Sequence, residues 1–285
     1  MNSINPLSPH LRGRKIPQFA DSVFIDEDHS KKHSILPHVH RDFLELYFVY
    51  SGKNRYMVDN RYYDLHAGDI VICNANTLHG ESPSDSRQIR SYSVALKDVF
   101  LSDLPKNTLC PPDEVPILST GLLSEQIGSL FYMINVLSAD MTHLGDTVNT
   151  MSASLLLLTY EMLLSRRKIQ TKKTTSSSVA RRVQEYIDAH YHETITLADI
   201  GRELSLSEYY LAHAFKNEYN VPPMQYMMER RIGEAQQLLM STDLPIGDIA
   251  ESLGFSSVSH FNTMFSKYVA ISPGKFRKSI QAMNQ

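Results

Sequence analysis

Over roughly the last hundred positions, apolar residues fall at helical spacing, and one arrangement of them is written twice. The first copy, Ile195 to Tyr226, reads ITLADIGRELSLSEYYLAHAFKNEYNVPPMQY; the second, Leu244 to Phe276, reads LPIGDIAESLGFSSVSHFNTMFSKYVAISPGKF. Asp199, Ile200, Leu204 and Leu206 recur 49 positions on as Asp248, Ile249, Leu253 and Phe255. Beyond the turn the offset is 50, so that Leu211, Phe215, Val221, Pro223 and Tyr226 become Phe261, Phe265, Ile271, Pro273 and Phe276. A turn one residue longer in the second copy accounts for the slip. Each copy reads as a short helix, a tight turn (Ser205-Leu206-Ser207; Gly254-Phe255-Ser256) and a helix with apolar residues at i and i+4. That is the geometry of a DNA-reading unit. A solenoid is the rival architecture, but it needs about three or more repeats to bury a continuous core, and no third copy follows. Between the copies, Met224 to Ser241 is rich in helix formers and free of Pro. It predicts one helix of about 27 Å, long enough to set two reading helices about one duplex turn apart.

The amino-terminal part has another rhythm. Leu44–Tyr50, Asn54–Val58 and Asp69–Cys73 are aromatic or β-branched runs separated by Ser51-Gly52-Lys53 and His66-Ala67-Gly68. Short strands with turns at this spacing predict a small barrel or jelly roll. Helical spacing returns in 121–165, where Leu123, Ile127, Leu130, Ile134 and Leu137 form one stripe and Met151, Leu155, Leu158 and Met162 another, with a break near Asp140 to Asp146. So much apolar helix surface fits either a cover for the domain's own sheet or a homodimer interface, and 121–165 is taken as the dimerisation segment. Residues 166–178, RRKIQTKKTTSSS, have linker composition, with five positive charges within reach of phosphates. The predicted fold is therefore α+β: a β-barrel with a helical dimerisation segment in 1–165, a linker in 166–178, and an all-α double helix-turn-helix domain in 179–285.

Composition narrows the function. The chain has 285 residues, 42% of them apolar, and a formal charge of −3, which suits two globular domains and carries no disorder signature. The terminus MNSINPLSPHLRGRK lacks the apolar core of a signal peptide, and apolar runs such as Leu155 to Leu158 are far too short to span a bilayer, so no membrane partner is expected. Only Cys73 and Cys110 occur, unpaired in sequence, which points to a reducing cytoplasm. From Ser178 onward there are ten Lys and Arg against twelve Asp and Glu, so the basic footprint of a DNA binder is not present as net charge. Local placement must supply it, with Arg230, Arg231, Lys267, Lys275, Arg277 and Lys278 lining phosphates. Modest affinity per monomer then argues for dimeric binding.

The double motif, the linking helix, the Gly254-Phe255 pair and the Val221-Pro222-Pro223 and Ile271-Ser272-Pro273 ends resemble the DNA-binding domain of AraC/XylS-type transcription regulators, without gaps over about residues 178 to 280. The helical period puts Leu211, Ala214, Phe215 and Glu218 on the core face and leaves Tyr209, Ala212, His213 and Lys216 outside. In the second unit Phe261, Met264, Phe265 and Tyr268 pack inward, while Val258, Ser259, Asn262 and Thr263 point out. Matching the family motif lands on the same residues, Lys216 excepted. Asn262 is suited to pair bidentately with adenine, whereas His213 and Ser259 are permissive donors or acceptors. The resemblance implies double-stranded DNA and RNA polymerase as partners.

A second resemblance lies in the strands. His38, His40, Glu45 and Gly52 are spaced as in the first cupin motif; Gly68 and His79 match the second, but Asn74 and Asn76 stand where that family shows Pro and Gly. In catalytic cupins the positions of His38, His40, Glu45 and His79 bind a metal, and three imidazoles with a carboxylate suit Mn, Fe, Ni or Zn. A metal-dependent cupin enzyme tethered to a DNA-binding domain is thus the alternative reading. Sensor cupins fused to AraC-type domains keep such residues to hold an effector, frequently a sugar, and the degenerate second motif fits that use. The expectation is a sugar-responsive regulator with no catalytic residue, no cofactor and no metal, in which His38, His40, Glu45, Tyr47 and His79 bind a small polar effector. Tyr56, Tyr62 and Tyr92 are further stacking faces, and the amino-terminal arm before Phe19 is expected to close over the pocket.

Overall fold

The structure, a computed structural model, describes residues 8, 10–11, 16–26, 37–81, 89–101, 104–111, 114–170 and 177–283. Its strands are β1 (Gln18–Ile25), β2 (His38–Val39), β3 (Leu44–Ser51), β4 (Lys53–Val58), β5 (Arg61–His66), β6 (Asp69–Cys73), β7 (Leu78–Glu81), β8 (Arg90–Lys97) and β9 (Ile117–Ser119). They form two sheets, β1-β8-β3-β6-β9 and β2-β7-β4-β5. Strand alternation gives β3 two jobs. Leu44, Leu46 and Phe48 face a core shared with helices, while Tyr47 and Val49 face Tyr56, Val58 and Leu65 of the second sheet. A strand covered on both faces reads as an unbroken apolar run, as Leu44–Val49 does.

Helices α1 (Ser124–Leu137) and α2 (Met141–Gln170) close the outer face of the larger sheet. Phe131 stacks on Phe48 at 5.2 Å, and Gly128 lets the helix approach, since a Cβ there would lie 3.1 Å from the Phe48 ring. The break between the helices is a single 3-10 turn, Ser138–Asp140, earlier than the sequence break. The stripes assigned to a dimer interface mostly cover the domain's own sheet: Ile127, Ile134 and Leu155 are fully buried in its core, and Leu130, Leu137, Met151, Leu158 and Met162 pack against it. Of the stripe residues Leu123 is exposed, and the other exposed apolar residues, Leu122, Tyr132, Met133, Val136 and Met141, lie outside the stripes.

Two further expectations are corrected. The stretch 166–170 is the end of α2 rather than linker. Arg and Lys are good helix formers, and Arg166 donates to the carbonyls of Ile117 (2.6 Å) and Val115 (2.7 Å) while Arg167 pairs with Glu114 (2.6 Å), so these charges serve the sensor domain and not phosphates. Helix α3 (Ser177–His190) takes in the last two linker residues, and 171–176 lie outside the described residues. The amino-terminal arm does not approach the histidines at its described positions. Leu11 bridges to Leu101 and is buried in the sheet–helix core, and His10 sits edge-on to Tyr160 at 5.5 Å.

The chain divides into two compact units, the first made mainly of residues up to Arg167 and the second of those from Lys168 onward, with Asp59–Tyr62 grouped with the second. The second carries α3, then α4 (Leu197–Leu204), α5 (Glu208–Tyr219), α6 (Pro223–Ser241), α7 (Ile246–Ser252), α8 (Val258–Val269) and α9 (Pro273–Met283). The repeat is visible as two cores. Val183, Ile187, Ile200, Leu211, Phe215, Tyr226 and Met227 make the first; Ile232, Leu239, Ile249, Leu253, Phe261, Phe265 and Phe276 make the second. Helix α6 contributes to both, which makes it a shared beam between the units.

The turns explain the change of offset. Leu206 N donates to Gly201 O and Phe255 N to Ala250 O, the same closure at an offset of 49, through left-handed residues Ser205 (φ 56) and Gly254 (φ 73). Ser207 and Ser257 then cap α5 and α8, accepting from Tyr210 N and His260 N at an offset of 50, so Ser256 is the inserted residue. Gly254 is required there, because a Cβ would meet the His192 carbonyl oxygen at 2.3 Å.

Candidate nucleic-acid interface and sensor site

The caps fix where α5 and α8 begin, and the buried rings fix how they rotate. Leu211 and Phe215 in α5, and Phe261, Phe265 and Val269 in α8, are fully buried. This leaves Tyr209, His213 and Lys216 exposed on the first reading helix and Val258, Ser259, Asn262 and Thr263 on the second. Ala212 is half-buried against the first core, so only part of its methyl is presented. Glu218 is exposed rather than on the core face, because Tyr219 takes the inward place at the end of the helix. Sequence reasoning missed Asn217. Its amide lies 3.1 Å from His213 Nδ1, which must therefore accept, so that Nε2 carries the proton and is the outward donor. Tyr209 stacks beside the same ring at 6.1 Å. The i, i+4 spacing of His213 and Asn217 was the available signal. In α8, Thr263 Oγ1 donates to Ser259 O, leaving its methyl and lone pairs outward.

The expected phosphate contacts need revision. Arg231 is buried and bonded to backbone carbonyls, Arg230 pairs with Asp188 at 3.0 Å, and Arg277 donates to Leu244 O. Lys216, Lys267, Lys275 and Lys278 are exposed and remain available to phosphates. With the reading stripe assigned in this way, Asn262→Ala or His213→Ala is expected to weaken specific binding by about 1 to 3 kcal/mol with folding unchanged. Titration of operator and random DNA checks it: equal loss on both would remove these residues from base reading.

Between the sheets of the first unit lies a polar cluster. His38 and His79 are direct partners across β2 and β7, and Glu45 on β3 reaches them from the other sheet. His40 Nε2 lies 3.0 Å from His38 Nε2 and 3.1 Å from Glu45 Oε2, and His79 Nε2 lies 3.7 Å from the same carboxylate oxygen. Burial alone would raise the Glu45 carboxyl, but the neighbouring imidazoles of His40 and His79 outweigh it and hold Glu45 well below the usual carboxylate range.

Tyr47, two residues along on the same face, donates to Glu81 Oε1 at 2.9 Å and accepts from Asn54 Nδ2 at 3.3 Å. Burial, then the Glu81 charge, push the Tyr47 hydroxyl well above its ordinary value, so it stays a donor. Glu81 and Asn54 are buried and were missed, although Glu81 shares the inner face of β7 with His79 by alternation. Tyr56 stacks on Tyr47 at 4.7 Å; Tyr92 belongs instead to the sheet–helix core beside Phe24.

Residues 200–279 match the model of a helix-turn-helix domain and residues 22–130 that of the AraC-like ligand binding domain. The uncharacterized HTH-type transcriptional regulator YdiP of Escherichia coli K12 is 26% identical over 94% of this chain and 88% of its own length. The melibiose operon regulatory protein of the same organism is 26% identical over 85% of this chain and 83% of its own. Among solved structures, the carboxyl-terminal domain of AraT from Geobacillus stearothermophilus is 32% identical, covers 35% of this chain and 84% of that one, and has a TM-score of 0.35. The chain belongs to the AraC family: it is a DNA-binding transcription regulator with an amino-terminal ligand-binding domain. Among the described residues no helix is long and apolar enough to cross a membrane.

Proposed function

We propose that this regulator binds DNA as a homodimer through α5 and α8 and answers to a small polar effector, a sugar, held between the two sheets by His38, His40, Glu45, Tyr47 and His79. The carrying observation is the cost of what lies there. Two buried carboxylates (Glu45 and Glu81), the buried imidazole of His79 and the amide of Asn54 replace apolar packing in the middle of a small sandwich, and Asn54 Oδ1 and His79 Nε2 are buried without a hydrogen-bond partner. Groups so placed destabilise a fold unless a ligand uses them. The sugar class is supported by the melibiose operon regulatory protein, which aligns over most of both chains. Tyr47 and Glu81 add a donor and an acceptor of the kind a hydroxylated ligand needs.

Dimerisation through 121–165 is supported by exposed apolar residues in this segment, Leu122 and Leu123 in the turn that precedes α1 and Met133 and Val136 on α1 itself. A dimer at the promoter would then offer its surface to RNA polymerase. The test is a gel shift on the DNA upstream of the chain's own gene, with and without melibiose and a panel of mono- and disaccharides. One sugar should change affinity about 5-fold or more, the usual scale of coupling between sites; no response to any member of the panel would reject the sugar class. In sedimentation, the parent is expected to be dimeric at micromolar concentration and the Met133→Glu, Val136→Glu double variant monomeric. A monomeric parent rejects the interface.

A further inference from the structure

The outward stripe of α5 does not stop at the residues that face a groove. Tyr209, His213 and Asn217 stand at i, i+4 and i+8 along it, all three exposed, so that each side chain meets the next. Tyr209 flanks the imidazole with ring centroids 6.1 Å apart and planes inclined by 24°, and Asn217 Nδ2 lies 3.1 Å from His213 Nδ1. An amide nitrogen donates and does not accept, so Nδ1 offers its lone pair and the proton resides on Nε2. In a neutral imidazole without such a neighbour the proton is free to sit on either nitrogen. Here the choice is made before DNA arrives. The position of Asn217 is itself fixed, because buried Phe215 precedes it and Tyr219, packed on the first core, follows it.

The duplication supplies an internal comparison. At the offset of 50, His213 corresponds to Thr263 and Asn217 to Lys267. Thr263 Oγ1 donates to Ser259 O, which uses its proton within α8 and leaves a methyl and an acceptor outward. Lys267 holds its ammonium 5.9 Å from the centroid of the Tyr268 ring. Equivalent points of the two reading helices therefore present opposite polarity, a donor from α5 and an acceptor with a methyl from α8.

We infer that Asn217 is a specificity-determining positioning residue: by donating to His213 Nδ1 it makes α5 demand a hydrogen-bond acceptor from the base it reads, a guanine, where α8 takes a donor or a methyl. Guanine turns N7 and O6 to the major groove, acceptors with no donor beside them. Adenine sets its N6 amino group beside N7, and cytosine offers only the N4 donor. A fixed Nε2–H therefore favours guanine most and rejects cytosine most. Without Asn217 the imidazole can place its proton on Nδ1 and accept from cytosine N4, so discrimination at that position falls. The two parts of one monomer's binding site are then unlike in sequence although the two units share one fold. The inference rests on the reading of α5 and α8 as the helices that enter the groove.

Selection from a random duplex library with the full-length chain gives the bound sequence, and the position read by His213 is the one whose preference disappears in His213→Ala. That position is expected to be guanine, and exchanging its G·C pair for C·G should lower the affinity of the parent about 5-fold or more. In Asn217→Ala the same exchange should cost about 2-fold or less, while the position that depends on Asn262 keeps its preference. Asn217→Asp, whose carboxylate accepts from Nδ1–H and leaves Nε2 a lone pair, should equalise or reverse the preference at about pH 8, where imidazole is ordinarily uncharged. Nitrogen resonances of His213 should report the Nε2–H form in the free parent and a mixture in Asn217→Ala. Cytosine at the selected position, mixed tautomers in the parent, or a guanine preference that ignores both Asn217 variants overturns the inference alone. A selected sequence unchanged by His213→Ala and by Asn262→Ala overturns the groove assignment of α5 and α8, and the inference with it.

Discussion

Phe215→Ala is expected to unfold the first helix-turn-helix unit at a cost of about 3 to 5 kcal/mol. The ring is fully buried and packs against Tyr219 at 4.7 Å and Tyr226 at 5.4 Å, where α5 meets α6, with Val183 and Ile187 of α3 in the same core. A core this small cannot collapse around the missing ring, so cavity and transfer terms add. Urea denaturation of parent and variant measures the loss, and specific DNA binding should vanish with it because α5 loses the face that fixes its rotation. A loss under about 1 kcal/mol would mean that Phe215 is not the keystone of this unit.

Arg231→Met is expected to cost about 3 kcal/mol or more. The guanidinium on α6 is 5% exposed and donates to the carbonyls of Tyr191, Glu193 and Gly254. The first two precede α4 of one reading unit and the third sits in the turn of the other, so a single side chain ties both units to the shared helix. Removing it leaves buried acceptors without partners; Met fills volume but donates nothing. Arg231→Lys should rescue little, because an ammonium cannot reproduce the planar fork. Thermal unfolding gives the stability loss, and operator titration should show specific affinity falling further than stability alone explains. Unchanged operator affinity in a folded Arg231→Met chain would show that the units keep their register without this tie.

The duplicated motif was readable because a helix-turn-helix is local: its caps, left-handed turn residue and i, i+4 apolar positions all lie within about twenty residues, and steric rules fix their meaning. The outward residues Tyr209, His213, Lys216, Val258, Ser259, Asn262 and Thr263 followed from the same periodicity. The carboxyl-terminal architecture and the family were in this sense determined by the sequence alone. What periodicity could not supply was the partner of each face. The stripe of Ile127, Ile134 and Leu155 looks the same whether it covers the chain's own sheet or a second copy, and only packing against Phe48 and its neighbours decided it. The same holds for charge. Arg166, Arg167, Arg230 and Arg231 read as phosphate ligands because sequence shows a cation but not the acceptors that fold around it, here Glu114, Asp188 and backbone carbonyls. The inter-sheet cluster lies between these extremes. Alternation put His38 beside His40 and Glu45 beside Tyr47, but strands far apart in the chain had to pair before His79 and Glu81 met them and before the tautomer of His79 was fixed by Thr77.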